Sequence, residues 1–309
     1  MELLAALVLQ AGYNATLVTL GAALLGAAAG VSGMFLFLRR RALVSDAVAH
    51  ATLPGVGIAF LVMVSLGGDG RWLPGLLVGS AATALIGLIV VEWLVRRTRL
   101  AEDAAIGAVL SVFFGIGVVL LTVIQGLGTG RAAGLEGFLL GSAAGMLRSE
   151  TVLIAIGGLL AILATVASHR AMTVVSFDPG FAAATGVDVR ATDRLIMGLV
   201  AAVTVIGLKI VGLVLIVALL IVPAVAARFW TDRIGVLMAL SGAFGALAGY
   251  VGAGLSAAAP SLPTGPVIVL ALAAIFAASL LAAPNRGVIA TVWRRARAGR
   301  RLAAPSGSA

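Results

Sequence analysis

Asp46 and His50 stand four residues apart at the head of an apolar run long enough to cross a bilayer. On a helix that spacing stacks both side chains on one face, with Cβ atoms about 6 Å apart. A carboxylate oxygen and an imidazole nitrogen so placed suit a divalent transition metal. They suit a proton relay equally well. A third reading is structural: Asp46, a few residues beyond Arg41, caps the helix at head-group level, and His50 bonds a backbone carbonyl. Ionisable groups at membrane depth cost ~3 kcal/mol unless paired or solvated, which makes an intramembrane Asp and His a functional reading by default. Pro54-Gly55 follows directly. Proline removes a backbone donor and loosens the helix, which leaves carbonyls free to face a ligand or pathway. Two side chains do not fill a tetrahedral shell. Water, backbone oxygens or another helix must supply the rest, as suits an ion that has to leave again.

Other chemistry is absent. No G-x-x-x-x-G-K-[ST] phosphate loop occurs; Gly67-Gly68-Asp69-Gly70 lacks the lysine and reads as a turn. There is no H-E-x-x-H helix and no Ser/His/Asp set, which argues against an intramembrane hydrolase. His169, beside Arg170, reads as an interface residue. If the chain moves a solute uphill, the energy comes from a partner or an ion gradient.

The elements that must carry these residues are membrane helices. Of 309 residues, 61% are hydrophobic and 11% charged, against about 25% charged in soluble domains. The mean hydropathy of +1.18 excludes a soluble globular protein. The 40 glycines fit close helix packing in lipid. With no cysteine, disulfides and thiolate metal sites are excluded. Glu2 and the lack of a basic n-region give no expectation of a cleavable signal peptide. A span needs about 20 mostly apolar residues. The candidates are 15–38, 44–66, 73–95, 104–125, 150–168, 193–208, 211–229, 234–256 and 264–283. Only Lys209 separates 193–208 from 211–229, so nine crossings, or eight with one broken helix, both stand. Residues 3–12 are too short to span alone.

Placing Arg39–Arg41 in the cytoplasm and alternating from there puts all but Arg71, Arg131, Arg148 and Lys209 of the 21 basic residues inside. The N-terminus is then outside and the C-terminus inside. The net charge of +9 is accounted for by inner loops and calls for no nucleic acid. Glu92 is placed to pair with Arg96, Glu102 and Asp103 to cap the next helix, and Pro223 to kink its own, either lining a pathway or serving packing alone.

Two loops exceed turns. Outer residues 126–149 read as a Gly-rich turn plus a short amphipathic or re-entrant helix. Inner residues 169–192 hold Phe177-Asp178-Pro179-Gly180-Phe181-Ala182-Ala183-Ala184-Thr185-Gly186. Asp178 is placed as an N-cap, Pro179 at the first helical position and Gly186 as the stop. That predicts a two-turn helix on the cytoplasmic face: an ordinary connection, or a docking element whose Ala182–Ala184 enters a partner's groove. The division expected is a transmembrane body, 1–285, and a basic, disordered tail, 286–309.

These residues resemble a known family. Arg39–Phe60, with Asp46, His50 and Pro54-Gly55, is similar to the first cytoplasmic turn and following helix of the metal-ion permeases of ABC importers, the membrane subunits of zinc, manganese and iron uptake systems. Phe177–Gly186 resembles their coupling helix. Gly207–Leu215, Ala218–Arg228 and Leu262–Pro266 resemble further segments in the same order. The resemblance implies an all-α, type II ABC-importer-like bundle of eight to nine helices in the bacterial inner membrane. It implies a homodimer with a path between or within protomers, a cytoplasmic ATPase and an outer metal-binding protein. No cofactor is held permanently; the transported zinc, manganese or iron ion is the only metal. Asp46 and His50 match the metal site. Asp178, Pro179, Phe181, Ala182, Ala183 and Gly186 match the coupling helix, and Pro54, Gly55 and Pro223 fall where a pathway or kink is expected. Ser45, Ala49 and Gly180 depart from the pattern; Gly180 replaces a usual acidic residue at the ATPase contact. The rivals are a proton-coupled secondary transporter, which often shows internal repeats although Asp-x-x-x-His-x-x-x-Pro-Gly has no second copy, and a permease for a metal chelate or vitamin.

Overall fold

A computed structural model describes residues 12–70, 72–127, 146–259, 262–284, 286–291 and 293; the side chains of Lys209 and Ile210 lie outside the described set. The elements are α1 (Tyr13–Leu38), α2 (Leu43–Ser65), α3 (Leu73–Arg97), α4 (Glu102–Gly126), α5 (Arg148–Phe177), α6 (Pro179–Ala184), α7 (Val189–Leu208), α8 (Val211–Arg228), α9 (Ile234–Ala258) and α10 (Thr264–Ala282). All but α6 are long and apolar enough to cross a membrane, nine among the described residues. The predicted spans match within a few residues, with one exception. α5 continues nine residues past its predicted end at 168, because His169 and Arg170 end the apolar stretch without ending the helix.

Small residues set the frame. Ala22, Gly26 and Gly30 of α1 meet Gly249, Gly245 and Ser241 of α9, an antiparallel ladder with one rung per turn. A Cβ on Gly26 would run into the Gly245 carbonyl oxygen, and one on Gly245 into that of Gly26. Ser241 Oγ donates to the Gly30 carbonyl at 2.6 Å, so the seam's hydroxyl has its partner. Such close contact replaces the hydrophobic drive that lipid does not supply.

The chain reverses between α7 and α8. Gly207 lies against Ile216, although nine residues of straight helix would separate them by about 13 Å. Gly212, at φ 77°, makes the bend in a region that glycine enters freely. The start of α7 and the end of α8 accordingly share a buried cluster of Ile196, Ala224 and Ala227. This hairpin packs against α1, α2, α3, α5, α9 and α10. It joins two groups: α1, α5, α9 and α10 on one side, and the α2–α3–α4 trio on the other. The predicted helix within 126–149 and most of the predicted tail lie outside the described residues, although 288–291 are helical.

Candidate functional site

Two adjacent turns of α2 carry Asp46 and His50. Asp46 Oδ1 and His50 Nε2 are 3.4 Å apart, and their side chains are 38% and 19% exposed. Two ligands on a tetrahedral ion with bonds of about 2.1 Å lie about 3.4 Å apart, so the pair already has a chelating separation. Phe114 of α4 sets its ring edge-on to the imidazole, with centroids 4.9 Å apart and planes at 82°. That contact constrains the plane of the ring. His50 Nδ1 is buried and has no hydrogen-bond partner among the described residues. The structural reading of His50 bonded to a backbone carbonyl is therefore not what is seen. Nor does Asp46 cap the helix: the cap position is Ala42, with no side-chain cap bond.

The pair is partly exposed beside α4; the next turns of α2, Ala51 to Gly57, are buried, and exposure resumes only at Ile58 and Val62. Neither residue lines the three well-formed cavities of about 940, 600 and 370 Å³ among the described residues. Among those residues, no three His, Asp or Glu side chains gather to hold a metal. The chain therefore brings two ligands together at a partly exposed site, not in a closed cage.

The kink positions separate. Pro54 is buried one turn above, and without its N–H the His50 carbonyl loses its helical donor. Gly55 serves packing: a Cβ there would strike the Gly79 carbonyl of α3. Pro223 is buried in α8, where the neighbouring Leu220 carbonyl touches Gly33 of α1. Pro223 follows that contact by three residues.

Just below the pair, the α1–α2 turn is clamped. Arg39 Nε lies 3.2 Å from Asp193 Oδ1, and Arg41 Nη1 lies 2.7 Å from Asp193 Oδ2. Arg41 Nε reaches Glu102 at 2.6 Å, and Arg39 Nη1 donates to the Val175 carbonyl at 3.0 Å. Burial pushes the Arg39 guanidinium below its ordinary value while Asp193 pulls it back up. Five residues before Asp46, the chain is thus tied to the inner ends of α4, α5 and α7. Glu102 serves this clamp; the residue that caps α4 is Ala101, with no side-chain cap bond. Glu92 pairs with Arg96 at 2.6 Å, as its spacing predicts. His169 is half-buried, with Nδ1 2.6 Å from the Val166 carbonyl.

α6 forms from its own caps. Asp178 Oδ1 accepts from the Phe181 N–H at 2.8 Å, and Pro179 opens the helix. Gly186, at φ 83°, ends it: its N–H bonds the Ala183 carbonyl and the Val187 N–H that of Ala182, a Schellman closure. Ala182 faces inward and is fully buried, so it is unavailable to a docking groove; Phe181, Ala183 and Ala184 face out.

Asp193 and Phe114 escaped the sequence reading. Asp193 had a signal, an acid within the arginine-rich inner stretch 188–194; Phe114 had none.

The model of the ABC 3 transport family matches residues 13–283. The manganese transport system membrane protein MntC of Bacillus subtilis is 39% identical over 288 residues; the match spans 93% of this chain but 65% of that longer protein. The zinc transport system membrane protein TroC of Treponema pallidum is 39% identical over 285 residues, 92% of this chain and 94% of that one. Among solved structures, PsaBC from Streptococcus pneumoniae in complex with Fab superposes with a TM-score of 0.77 at 28% identity, covering 90% of this chain and 95% of that one.

Proposed function

Because the chain belongs to the ABC 3 transport family, we propose that it is the membrane permease of an ATP-driven, binding-protein-dependent importer of divalent transition metal ions, with manganese or zinc as cargo. Iron(II) meets the same ligand preferences. The observation that carries this reading is the 3.4 Å separation of Asp46 Oδ1 and His50 Nε2 in a spanning helix. Relatives named for manganese and for zinc transport support the cargo class.

The working parts follow from position. Asp46 and His50 take the ion in passage, with the remaining ligands drawn from water or a facing helix. Their partial exposure, with two ligands short of a closed shell, favours a path closed by a second copy of the chain, hence a homodimer with the ion moving between protomers. With no phosphate loop in the sequence, ATP is hydrolysed by a separate cytoplasmic subunit, which docks on Phe181, Ala183 and Ala184 of α6. A push on α6 passes into α7, through Asp193 to Arg39 and Arg41, and so to the base of α2. A metal-binding protein delivers the ion at the outer face. The membrane is the bacterial inner one, with 1–285 as permease body and 286–309 as cytoplasmic tail. A proton relay and a chelate permease remain distinct chemistries, and neither accounts for relatives named for manganese and zinc.

Metal accumulation in cells that depend on this importer tests the reading. Asp46→Ala and His50→Ala are expected to reduce uptake to the level of cells lacking the permease, with unchanged amounts of protein in the membrane. Normal manganese and zinc accumulation by both variants would refute the site.

A further inference from the structure

The inner ends of α3, α4 and α7 enclose a feature that extends beyond the clamp. A cavity of about 600 Å³ opens there, its mouth lined by four arginines and three carboxylates. Arg41 is committed to Asp193 and Glu102, and Arg96 to Glu92. Arg194 reaches Glu92 only at 3.4 Å, and its side chain is 66% exposed. Arg190 makes no ion pair among the described residues. Its acidic neighbour Asp188 instead accepts from the backbone N–H groups of Arg190 and Ala191. The Asp188 carboxylate also attracts Arg190 and Arg194 through space, and Arg39 shares Asp193 with Arg41. Five guanidinium groups thus face four carboxylates, which leaves one positive charge unbalanced and the donors of Arg190 and Arg194 largely unused.

An apolar groove of about 370 Å³ continues from this cavity between α3 and α7, toward the bilayer centre. The two share Leu85 and Gly198, and Ala81, Ala202 and Ile206 line the groove beyond them. A cationic mouth at head-group level that leads into an apolar slot matches the two halves of a phospholipid.

We propose that this groove binds one anionic phospholipid of the inner leaflet, with its phosphodiester on Arg190 and Arg194 and an acyl chain along Leu85, Gly198 and Ala202. A phosphodiester brings the single negative charge that the mouth lacks, and a guanidinium presents paired donors to it. A zwitterionic lipid brings its own ammonium and leaves the imbalance in place. Bound there, the lipid braces α3 against α7, beside the turn that carries Arg41.

Native mass spectrometry of the full-length protein in detergent tests this, with dioleoylphosphatidylglycerol and dioleoylphosphatidylcholine as the two probes. Phosphatidylglycerol is expected to stay bound under activation that strips phosphatidylcholine. Arg190→Gln with Arg194→Gln is expected to weaken it about twenty-five-fold, since each basic side chain near the head groups contributes about fivefold. Gly198→Leu keeps every arginine but fills the slot. A Cβ at Gly198 meets nothing within 4 Å, and leucine favours helix over glycine, so this variant folds and is expected to lose the lipid as well. Equal retention of the two lipids, or undiminished phosphatidylglycerol binding by Gly198→Leu, would overturn the proposal. So would inorganic phosphate binding as tightly as the lipid, which would leave a plain anion site. The chain has no cysteine, so Gly198→Cys provides a single reporter. Its cross-linking between two copies in membranes would show the groove covered by protein and would equally overturn the proposal.

Discussion

The α1–α9 seam and the α2 face that carries Asp46 both depend on close helix contact, yet they are finished in opposite ways. In the seam, glycines bring the backbones together until no side chain fits between them, and its hydroxyl, Ser241, is bonded to the Gly30 carbonyl. On α2, a carboxylate and an imidazole stand partly exposed, with one ring nitrogen buried and unpartnered among the described residues. A buried polar atom without a partner costs about 1–3 kcal/mol. The seam therefore forms a rigid frame, whereas the α2 face keeps polar groups incomplete for something that arrives. Packed small residues hold one arrangement; an under-liganded pair accepts an ion and releases it.

Substitutions sharpen this contrast. The largest effect is expected in the seam. Gly245→Val drives a branched side chain into the Gly26 carbonyl, and overpacking a tight contact typically costs ~1–3 kcal/mol before any backbone shift. Folded, monodisperse protein should be lost in size-exclusion chromatography; a well-folded variant would mean that the seam yields. Next comes Ala183→Arg, on the exposed side of α6. It should leave the fold intact and abolish both co-purification of the ATPase and transport. An unchanged complex with normal stimulated ATP hydrolysis would remove α6 from the docking surface. Asp193→Asn should act most mildly, lowering uptake several-fold while the ATPase still binds and hydrolyses ATP. Full transport by this variant would leave the clamp without a role in coupling.

Local chemistry was the legible part of this molecule. The nine spans follow from hydropathy, and α6 from the side chains that cap it: Asp178, Pro179 and Gly186 act on backbone groups within three or four residues. The Asp46–His50 pairing also follows from one turn of helix. What escaped is tertiary. The α7–α8 reversal is not legible in this way, because Lys209 marks a break without giving its angle; Gly212 supplies that through its φ of 77°. α5 runs on to Phe177 because hydropathy registers where a chain leaves lipid, not where its helix ends. Pro54 and Gly55 looked alike as pathway residues, but only contact with Gly79 reveals that Gly55 is a packing residue. Asp193 joins Arg39 and Arg41 across more than 150 positions of sequence, a distance no periodicity spans. The inward turn of Ala182 depends in the same way on what packs beneath α6.

The central claim, that Asp46 and His50 bind the ion directly, is tested most directly by X-ray absorption at the manganese or zinc edge of the purified permease–ATPase complex. The parent complex should show a first shell of oxygen and nitrogen with the scattering pattern of an imidazole. That pattern should vanish in His50→Ala, and bound metal should fall in Asp46→Ala. Spectra and metal content identical in all three proteins would contradict the account.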